Sequence, residues 1–431
     1  MARSTFSRRT FLMGAAGVAG AGLLSACGSG GDSKDAAASG TIKFWDTVWG
    51  PPEYVTTGKT TVNAYKSTSG TFGATYQSID WANWYQTFSS AIASKTGPAV
   101  SSGASTQPYQ FYDQGGIAPA DNLYAQMEKG GTLADFVPSS FDILKYKGVL
   151  VGMPWAYDMR PYLYRPSLLE KAGVQPPTTW DELYDVGLKL KNMGISGYGV
   201  APTPNGFNYQ QLATLVLSNG GVFVDEQGNI ACLSDRFIEG TEFLLSLSKA
   251  GIIRKDMVSY SSANLYADVS AGKTAIFVGQ VAAASSLSGD AKKDLAAMSP
   301  IAGPSGDKFT AGSVQTLMMY TDTPSQQASE EFLTWYLDAI KVYWEKKLVG
   351  LIPVRKSITE TLKESDPLVY KVGAEYSPLS KNWFGDKFDE NTAKLDASPA
   401  ITKWGQQIVQ GEKSARSLCE ELQKALEQVV R

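Results

Sequence analysis

The stretch GVLVGMPWAYD, residues 148–158, contains a run of apolar, β-branched and aromatic residues from Val149 to Trp155, which is typical of a β-strand. Asp158 follows this run within three residues. Similar strand-like runs occur at residues 41–45, 198–201, 274–278 and 315–320.

Segments with helical spacing of apolar residues lie between these runs. Residues 81–95 carry Trp84, Phe88 and Ile92 near that spacing. Further helices are predicted from a capping box at Thr179–Glu182 to near Gly194, from Ser325 through Tyr336, and along the stripe Leu418, Leu422, Leu426 and Val429. Alternating strands and helices predict an α/β protein with mainly parallel sheets, in which ligands bind outside the carboxyl ends of the strands.

The N-terminus has the three parts that export requires. Arg3, Arg8 and Arg9 precede an apolar stretch from Phe11 to Leu24 that is short and interrupted by glycines. A permanent membrane span needs about 20 apolar residues. Residues 1–26 are therefore predicted to be a signal peptide.

Two motifs within this segment are informative. Residues 7–12, SRRTFL, resemble a twin-arginine export signal, and residues 24–27, LSAC, resemble the lipobox of bacterial lipoproteins. Cys27 is then the lipidated first residue of the mature protein. Residues 27–40 are small and polar and are predicted to be a flexible tether, so we expect an extracytoplasmic protein, lipid-anchored to the outer face of the cell membrane.

Composition excludes several classes of site. The 431 residues include no histidine, which removes Ser-His-Asp and Cys-His catalytic sites and histidine-ligated zinc. Gly272-Lys273-Thr274 resembles the end of a phosphate-binding loop, but Ala267 stands where that motif needs glycine. An enzyme would therefore have to rely on carboxylates, lysine or tyrosine.

Charge and cysteine content limit the partners. Removing residues 1–26 lowers Lys+Arg from 39 to 36 against 42 Asp+Glu, which leaves a formal charge near −6. No basic run is present, so a nucleic-acid partner is not expected. Cys232 and Cys419 remain after Cys27, and the sequence leaves open whether they pair.

Several segments, taken in order, resemble the family 1 extracellular solute-binding proteins. These are the maltose-binding-protein-like, sugar-binding lipoproteins of ABC importers. The matching segments are residues 148–158 with Leu163-Tyr164 and Leu168–Gly173, residues 177–183, residues 272–276 and residues 350–357. Together they extend over essentially the whole mature chain.

The resemblance implies a two-lobed periplasmic-binding-protein-like fold of type II, with the lobes joined by hinge crossings. Lobe 1 is expected at residues 41–155 and 275–315, and lobe 2 at residues 156–274 and 316–431. It also implies a monomer that is not an enzyme and needs no cofactor or metal. Such a protein binds a sugar or short oligosaccharide between the lobes and delivers it to the permease subunits of an ABC importer.

Candidate ligand-binding residues follow from what a sugar needs, namely flat aromatic surfaces for its C–H faces and planar polar groups for its hydroxyls. By resemblance to the family, such residues are expected in three places. These are the end of the first strand, the first crossing and the residues just after it, and a glycine-flanked loop of the second lobe. In that order they are Trp45, Asp46 and Trp49; Trp155, Asp158 and Arg160; and Trp383.

Further candidates lie at helix starts and in loops, where capping or loop roles are equally open. They are Trp81, Gln107, Tyr109, Asn208, Tyr209, Gln280 and Ser313. Trp84 and Tyr85 are predicted to be core residues, because an aromatic stripe on a helix usually packs inward. Ala282 stands where maltose-binding proteins place a stacking tryptophan, which favours a different or smaller sugar.

Two alternatives stay open from the sequence. One is a carbohydrate hydrolase that uses a carboxylate pair such as Asp46 and Asp158. The other is the same fold with a peptide, a polyamine or a metal chelate as ligand.

Overall fold

The computed structural model describes residues 39–81, 83–104, 107–204, 207, 209–382, 384–385, 391–396 and 398–430. These residues fall within one compact unit, residues 38–431. The predicted signal peptide, the predicted lipidation site Cys27, Asn208 and Trp383 lie outside the described residues. No helix within the described part of the chain is long and apolar enough to cross a membrane.

The strands form one large and one small sheet, with a separate two-stranded ribbon of β5 and β6. In chain order they are β1 Gly40–Thr47, β2 Phe72–Ile79, β3 Val100–Gly103, β4 Ile117–Ala118, β5 Lys145–Tyr146, β6 Val149–Leu150, β7 Met153–Met159, β8 Tyr162–Tyr164, β9 Ile276–Val278, β10 Ala296–Ala297, β11 Thr310–Tyr320, β12 Ile352–Pro353 and β13 Ser380–Asn382.

The large sheet has the order β12-β7-β11-β3-β1-β2, and β4 and β13 also pair with β11. β1 runs parallel to β2 and β3, whereas β11 runs antiparallel to β3 and β7. The sheet is therefore mixed, and the expectation of mainly parallel sheets is wrong for its second half. Every residue of β11 is buried, because β11 is the central strand.

The small sheet has the order β10-β8-β9 and is antiparallel. Residues 198–201, predicted as a strand, meet β9 only through a single bridge from Gly199 to Phe277. The two sheets, each with its own helices, form the two lobes of an α/β protein.

The helices cover both sheets. They are α1 Pro52–Asn63, α2 Trp84–Ser94, α3 Gln107–Asp113, α4 Asp121–Lys129, α5 Pro166–Lys171, α6 Trp180–Asn192, α7 Gln210–Ser218, α8 Asp235–Lys249, α9 Ser262–Ser270, α10 Ala283–Ser286, α11 Gln326–Ala339, α12 Val342–Glu345, α13 Lys356–Thr361, α14 Pro367–Glu375, α15 Thr392–Asp396, α16 Pro399–Gln410 and α17 Ala415–Val430. α1 and α11 pack on the large sheet, and α7, α8, α16 and α17 pack together beside the small one.

Helix starts follow the sequence signals in part. Ser325 caps α11 by accepting a hydrogen bond from the Ala328 N–H, as the sequence predicts. Thr179 likewise accepts from the Glu182 N–H, and the Glu182 carboxylate accepts from the Thr178 N–H and hydroxyl, so Thr178 takes part in the predicted helix start as well.

Strand pairing differs from the predicted division into lobes. Residues 275–315 were expected in lobe 1, yet β9 and β10 pair with β8 in the small sheet. Residues 316–431 were expected in lobe 2, yet α11 packs on β1, and β12 pairs with β7 in the large sheet. These segments are corrected accordingly, because hydrogen bonding between distant strands decides to which sheet a segment belongs.

The crossings between the sheets meet at Tyr376, which is fully buried. Its hydroxyl accepts a hydrogen bond from the Tyr162 N–H at 3.2 Å and donates one to the Met298 carbonyl at 2.9 Å. Its carbonyl accepts from the Thr310 hydroxyl at 2.8 Å. One residue is thus bonded to the starts of β8 and β11 and to the segment after β10.

Two small residues bring the lobes into contact. Gly350 lies before β12 and Ala282 lies after β9. A Cβ atom added to Gly350 would lie 2.3 Å from the Ala282 Cβ, closer than any real contact. The lobes therefore approach each other here to a distance that only glycine permits.

Cys232 and Cys419 are both buried free thiols in this structure. The Cys419 thiol lies 3.5 Å from the Thr241 hydroxyl of α8. Burial raises the pKa of Cys419 to about 11, so this thiol stays protonated at neutral pH.

Candidate functional site

Three parallel strands end at the same edge of the large sheet, and candidate residues follow each of them. Trp49 comes two residues after β1, Trp81 comes two residues after β2, and Gln107 opens the helix that follows β3. The carboxyl ends of parallel strands are where open α/β sheets bind ligands. The candidates named from the sequence thus follow three neighbouring strands at one edge of this sheet.

Tryptophan rings line this edge in a series that we call the aromatic row, composed of Trp155, Trp49 and Trp81. The ring centroids of Trp49 and Trp155 are 5.7 Å apart, and those of Trp49 and Trp81 are 4.7 Å apart, both pairs edge to face. Trp155 is buried, Trp49 is half-buried and Trp81 is exposed. The row thus runs from the core to the surface.

Hydrogen bonds to the ring nitrogens fix two of these rings. The Trp49 Nε1–H donates to the Ser102 hydroxyl at 3.2 Å, and the Trp81 Nε1–H donates to the Val48 carbonyl at 2.8 Å. The buried Trp155 Nε1 has no partner among the described residues. A buried donor without a partner costs stability, so a ligand acceptor that reached it would remove that cost.

Asp46 is not part of the surface of the aromatic row but is linked to it through Ser102. Its carboxylate accepts hydrogen bonds from the Ser102 hydroxyl at 2.5 Å and the Tyr76 hydroxyl at 3.1 Å, and its side chain is fully buried. Ser102 in turn accepts from Trp49. Asp46 therefore orients the Trp49 ring through Ser102.

Burial raises the pKa of Asp46 to about 7, because desolvation disfavours the charged carboxylate. The hydroxyls of Ser102, Tyr54, Tyr76 and Tyr343 lower the pKa and offset part of this effect. The groups that act on this carboxyl are thus neutral hydroxyls.

Polar side chains gather where β7 leaves the large sheet, in a set that we call the crossing cluster. Asp158 and Arg160 form a two-pronged ion pair, in which Arg160 Nη2 lies 3.1 Å from Asp158 Oδ2. Gln280 Nε2 donates to Asp158 Oδ1 at 3.1 Å, and Arg160 Nε donates to Gln210 Oε1 at 2.8 Å. The cluster thus joins a strand of the large sheet to two segments of the other lobe.

A cavity of about 540 Å³ opens beside this cluster. Its wall combines aromatic rings with amide and hydroxyl groups and the Arg160 guanidinium. The residues are Arg160, Pro204, Phe207, Tyr209, Gln210, Ser262, Tyr266, Gln280, Ala282, Ala283, Ser285 and Ser286. Such a mixture of flat apolar and planar polar groups is typical of a small-molecule site.

The aromatic row and the crossing cluster are connected by one strand. Trp155 and Asp158 both belong to β7 and are three residues apart. At about 3.3 Å per residue, their backbone positions lie roughly 10 Å apart. β7 therefore brings the start of the aromatic row and the crossing cluster close together along the chain.

Comparison of the sequence and fold with those of known proteins identifies the family of this chain. Residues 73–340 match the family model of the bacterial extracellular solute-binding proteins. A crystal structure of a sugar transporter from Arthrobacter chlorophenolicus A6 with bound laminaribiose is 39% identical, with a TM-score of 0.75 over 91% of this chain and 100% of that one. The chain belongs to the bacterial extracellular solute-binding proteins.

Other relatives support the fold of this solute-binding protein. The cyclic alpha-maltosyl-1,6-maltose binding protein from Arthrobacter globiformis has a TM-score of 0.76 at 16% identity, over 91% of this chain and 99% of that one. A binding protein of Brucella abortus (strain 2308) is 24% identical over 298 residues, 65% of this chain and 68% of that protein. The two-lobed fold predicted from the sequence is confirmed.

The remaining candidate residues of this solute-binding protein have different surroundings in the structure. Trp45 packs against Phe88 of α2, with ring centroids 5.4 Å apart, and is not part of the aromatic row. Ser313 pairs with Asp158 across β11 and β7, next to the crossing cluster. Gln107 is buried, and both polar atoms of its amide are without partners among the described residues.

Three aromatic side chains differ from expectation or play other roles. Tyr85, predicted as core, is 48% exposed. Tyr109 is buried and donates its hydroxyl proton to the Ile143 carbonyl. Tyr209 is buried, lines the cavity and packs on Phe223.

Sequence reasoning missed several residues of the site. Ser102, Gln210, Phe207 and Tyr266 were not singled out. Gln210 directly follows Tyr209, which the sequence did offer as a candidate, and both line the cavity. Among the described residues, no group of three or more acidic or cysteine side chains could hold a metal ion.

Proposed function

We propose that this solute-binding protein binds a sugar or short oligosaccharide in the cleft between its lobes. The observation that carries the proposal is that β7 contributes Trp155 to the aromatic row and Asp158 to the crossing cluster, so that the two sets are neighbours. The rings can stack on the C–H faces of sugar rings, and the ion-paired carboxylate, guanidinium and amides can bond with hydroxyls at the rim.

The related sugar transporter supports this ligand class. That protein was crystallised with laminaribiose and is 39% identical over 91% of this chain. A polyamine fits less well, because Arg160 already neutralises the Asp158 carboxylate in the crossing cluster. Laminaribiose is therefore the first ligand to test.

Closure of the lobes around the sugar completes the proposed mechanism. When two lobes close on a ligand, water leaves the cleft and each hydrogen bond to the ligand becomes stronger. The closed shape is the form that we expect the permease subunits of an ABC importer to recognise. The protein is then the extracytoplasmic substrate-binding subunit that delivers the sugar.

A binding role fits the carboxylates better than hydrolysis does. A glycoside hydrolase needs two carboxyl groups that face the scissile bond. Asp46 is buried and hydrogen-bonded to Ser102 and Tyr76, and Asp158 is held by Arg160. We therefore expect no shortened products when laminarin oligosaccharides are incubated with the protein.

The N-terminal motifs support a lipid anchor at Cys27. Residues 24–27, LSAC, form the lipobox-like motif at the end of the signal peptide. Cells that produce the full chain should incorporate labelled palmitate into it, and cells that produce Cys27→Ser should not. Labelling of both proteins, or of neither, would contradict the anchor at this residue.

A thermal-shift titration of the chain lacking residues 1–27 tests sugar binding. A ligand that binds only the folded state raises the melting temperature. Laminaribiose should raise it for the wild type and for Met193→Ala, an exposed apolar position outside the site. Trp49→Ala should lose the shift and should still unfold cooperatively without sugar. If neither laminaribiose nor any member of a sugar library stabilises the wild type, the proposal is wrong.

A further inference from the structure

An exposed pair of aromatic rings, Trp81 and Tyr85, lies at the outer end of the aromatic row. Tyr85 is 48% exposed and Trp81 is 36% exposed. The other large apolar side chains with comparable exposure in the described part of the chain are Met193, Leu233 and Leu379. Those three lie in separate segments, and single exposed apolar side chains need no explanation, whereas neighbouring ones mark binding surfaces.

The two rings are linked and held in place. Trp84 lies between them, with its ring centroid 6.5 Å from that of Trp81 and 5.6 Å from that of Tyr85. Gln110 Nε2 donates to the Tyr85 hydroxyl at 2.9 Å, and Val48 accepts the Trp81 Nε1–H. Rings fixed in this way lose little conformational entropy when a ligand stacks on them.

The chemistry of the pair favours a sugar ring as its partner. The Trp81 Nε1–H is already bonded to the protein, so the exposed part of that side chain is the apolar ring surface. The pair is continuous with Trp49 of the aromatic row, at 4.7 Å from Trp81. A chain of sugar units that begins beside Trp155 and Trp49 would leave the cleft over Trp81 and Tyr85.

We infer that Trp81 and Tyr85 form an outer subsite for a further sugar unit, so that the preferred ligand is an oligosaccharide longer than a disaccharide. This inference rests on the proposed function, since it extends the same cleft outward. The wall of this subsite is aromatic on one side and carries the Gln110 amide and the Tyr85 hydroxyl at its rim.

Chain-length dependence of affinity tests the subsite. Calorimetric titration of the wild type should give tighter binding of laminaritetraose than of laminaribiose, by on the order of tenfold if stacking contributes what aromatic contacts usually do. Tyr85→Ala should lose most of this gain for the tetrasaccharide. Tyr85→Phe keeps the ring and should keep the gain, and Met193→Ala should behave as the wild type.

The outcomes separate this inference from the proposed function. Equal affinities of the wild type for the two sugars, or an unchanged gain in Tyr85→Ala, would overturn the outer subsite while laminaribiose binding still upheld the sugar-binding role. Loss of all binding in Tyr85→Ala together with loss of cooperative unfolding would show a structural residue and would also overturn the subsite. Absence of binding of both sugars to the wild type would overturn the proposed function and this inference with it.

Discussion

At the scale of single residues, the buried carboxyl of Asp46 makes the stability of the protein depend on pH. Its pKa is raised from 3.8 to about 7 in the folded protein, because its carboxyl is buried. Between about pH 4 and pH 7, the folded protein therefore holds a proton that the unfolded chain has lost. The contribution of Asp46 to the free energy of unfolding falls as pH rises through this window, by on the order of 4 kcal/mol, and is constant above it.

The variant Asp46→Asn isolates this contribution, since an amide cannot ionise. Urea unfolding followed by tryptophan fluorescence should show the variant gaining stability relative to the wild type as pH rises from 4 to 7. Asp181→Asn, at an exposed position in α6, is the matched control. Parallel pH profiles for Asp46→Asn and the wild type would contradict the buried, protonated carboxyl.

The sequence could locate Asp46 but could not assign its role. Alternation along a strand places Trp45 and Asp46 on opposite faces of β1, and the position at the strand end favours a ligand contact. The hydroxyls around Asp46 come from Tyr54, Tyr76 and Tyr343, and the last of these is about 300 residues away in the sequence. The sequence around Asp46 gives no indication that these distant residues lie close to it in the folded protein.

At the scale of elements, β7 carries an ion pair that is mostly shielded from solvent. The side chains of Arg160 and Asp158 are 6% and 17% exposed. Arg160→Met would leave the Asp158 carboxylate without its cation, which costs about 3–5 kcal/mol for a buried pair. Urea unfolding of Arg160→Met should show a loss of this size, and the double variant Asp158→Asn/Arg160→Met should be more stable than Arg160→Met alone.

The control for this cycle is Asp158→Asn by itself. If the double variant is destabilised by the sum of the two single changes, the two side chains do not interact and the pair is not coupled. If the pair is coupled, the double variant loses less stability than the sum of the losses in the two single variants.

Elements were predictable where their signal is local. The cap at Ser325 and the apolar stripe of α17 are local, and both helices are found. The run from Val149 to Trp155 instead divides into β6 and β7 around Gly152, where an added Cβ would lie 2.3 Å from the Thr316 hydroxyl of β11. That break is set by close approach to a distant strand, which periodicity does not report.

At the scale of the whole molecule, contact between the lobes depends on Gly350. Gly350→Ala would place a methyl group against Ala282, so the lobes must stay farther apart. We expect weaker laminaribiose binding than in the wild type, with a melting temperature without sugar within a few degrees of it, because each lobe keeps its own core. The two measurements are a calorimetric titration and a thermal melt. Gly73→Ala is the control for a glycine substitution away from the contact, because an added Cβ there would meet no atom closer than 3.7 Å.

Unchanged affinity in Gly350→Ala would mean that the sugar-bound form does not use this contact.

The division into lobes is itself a whole-molecule property, which explains why the sequence assigned β9, β10 and β12 to the wrong lobes. A motif can identify the crossings, but pairing between strands more than 100 residues apart decides on which side each segment lies.

The hydrogen bonds of Tyr376 to Tyr162, Met298 and Thr310 have a kinetic consequence. Because a single phenol and its own backbone bond to three separate passes of the polypeptide, bending of one pass alone would have to break one of these bonds. We therefore expect the three passes to move together, so that stopped-flow traces of sugar release decay with a single exponential phase.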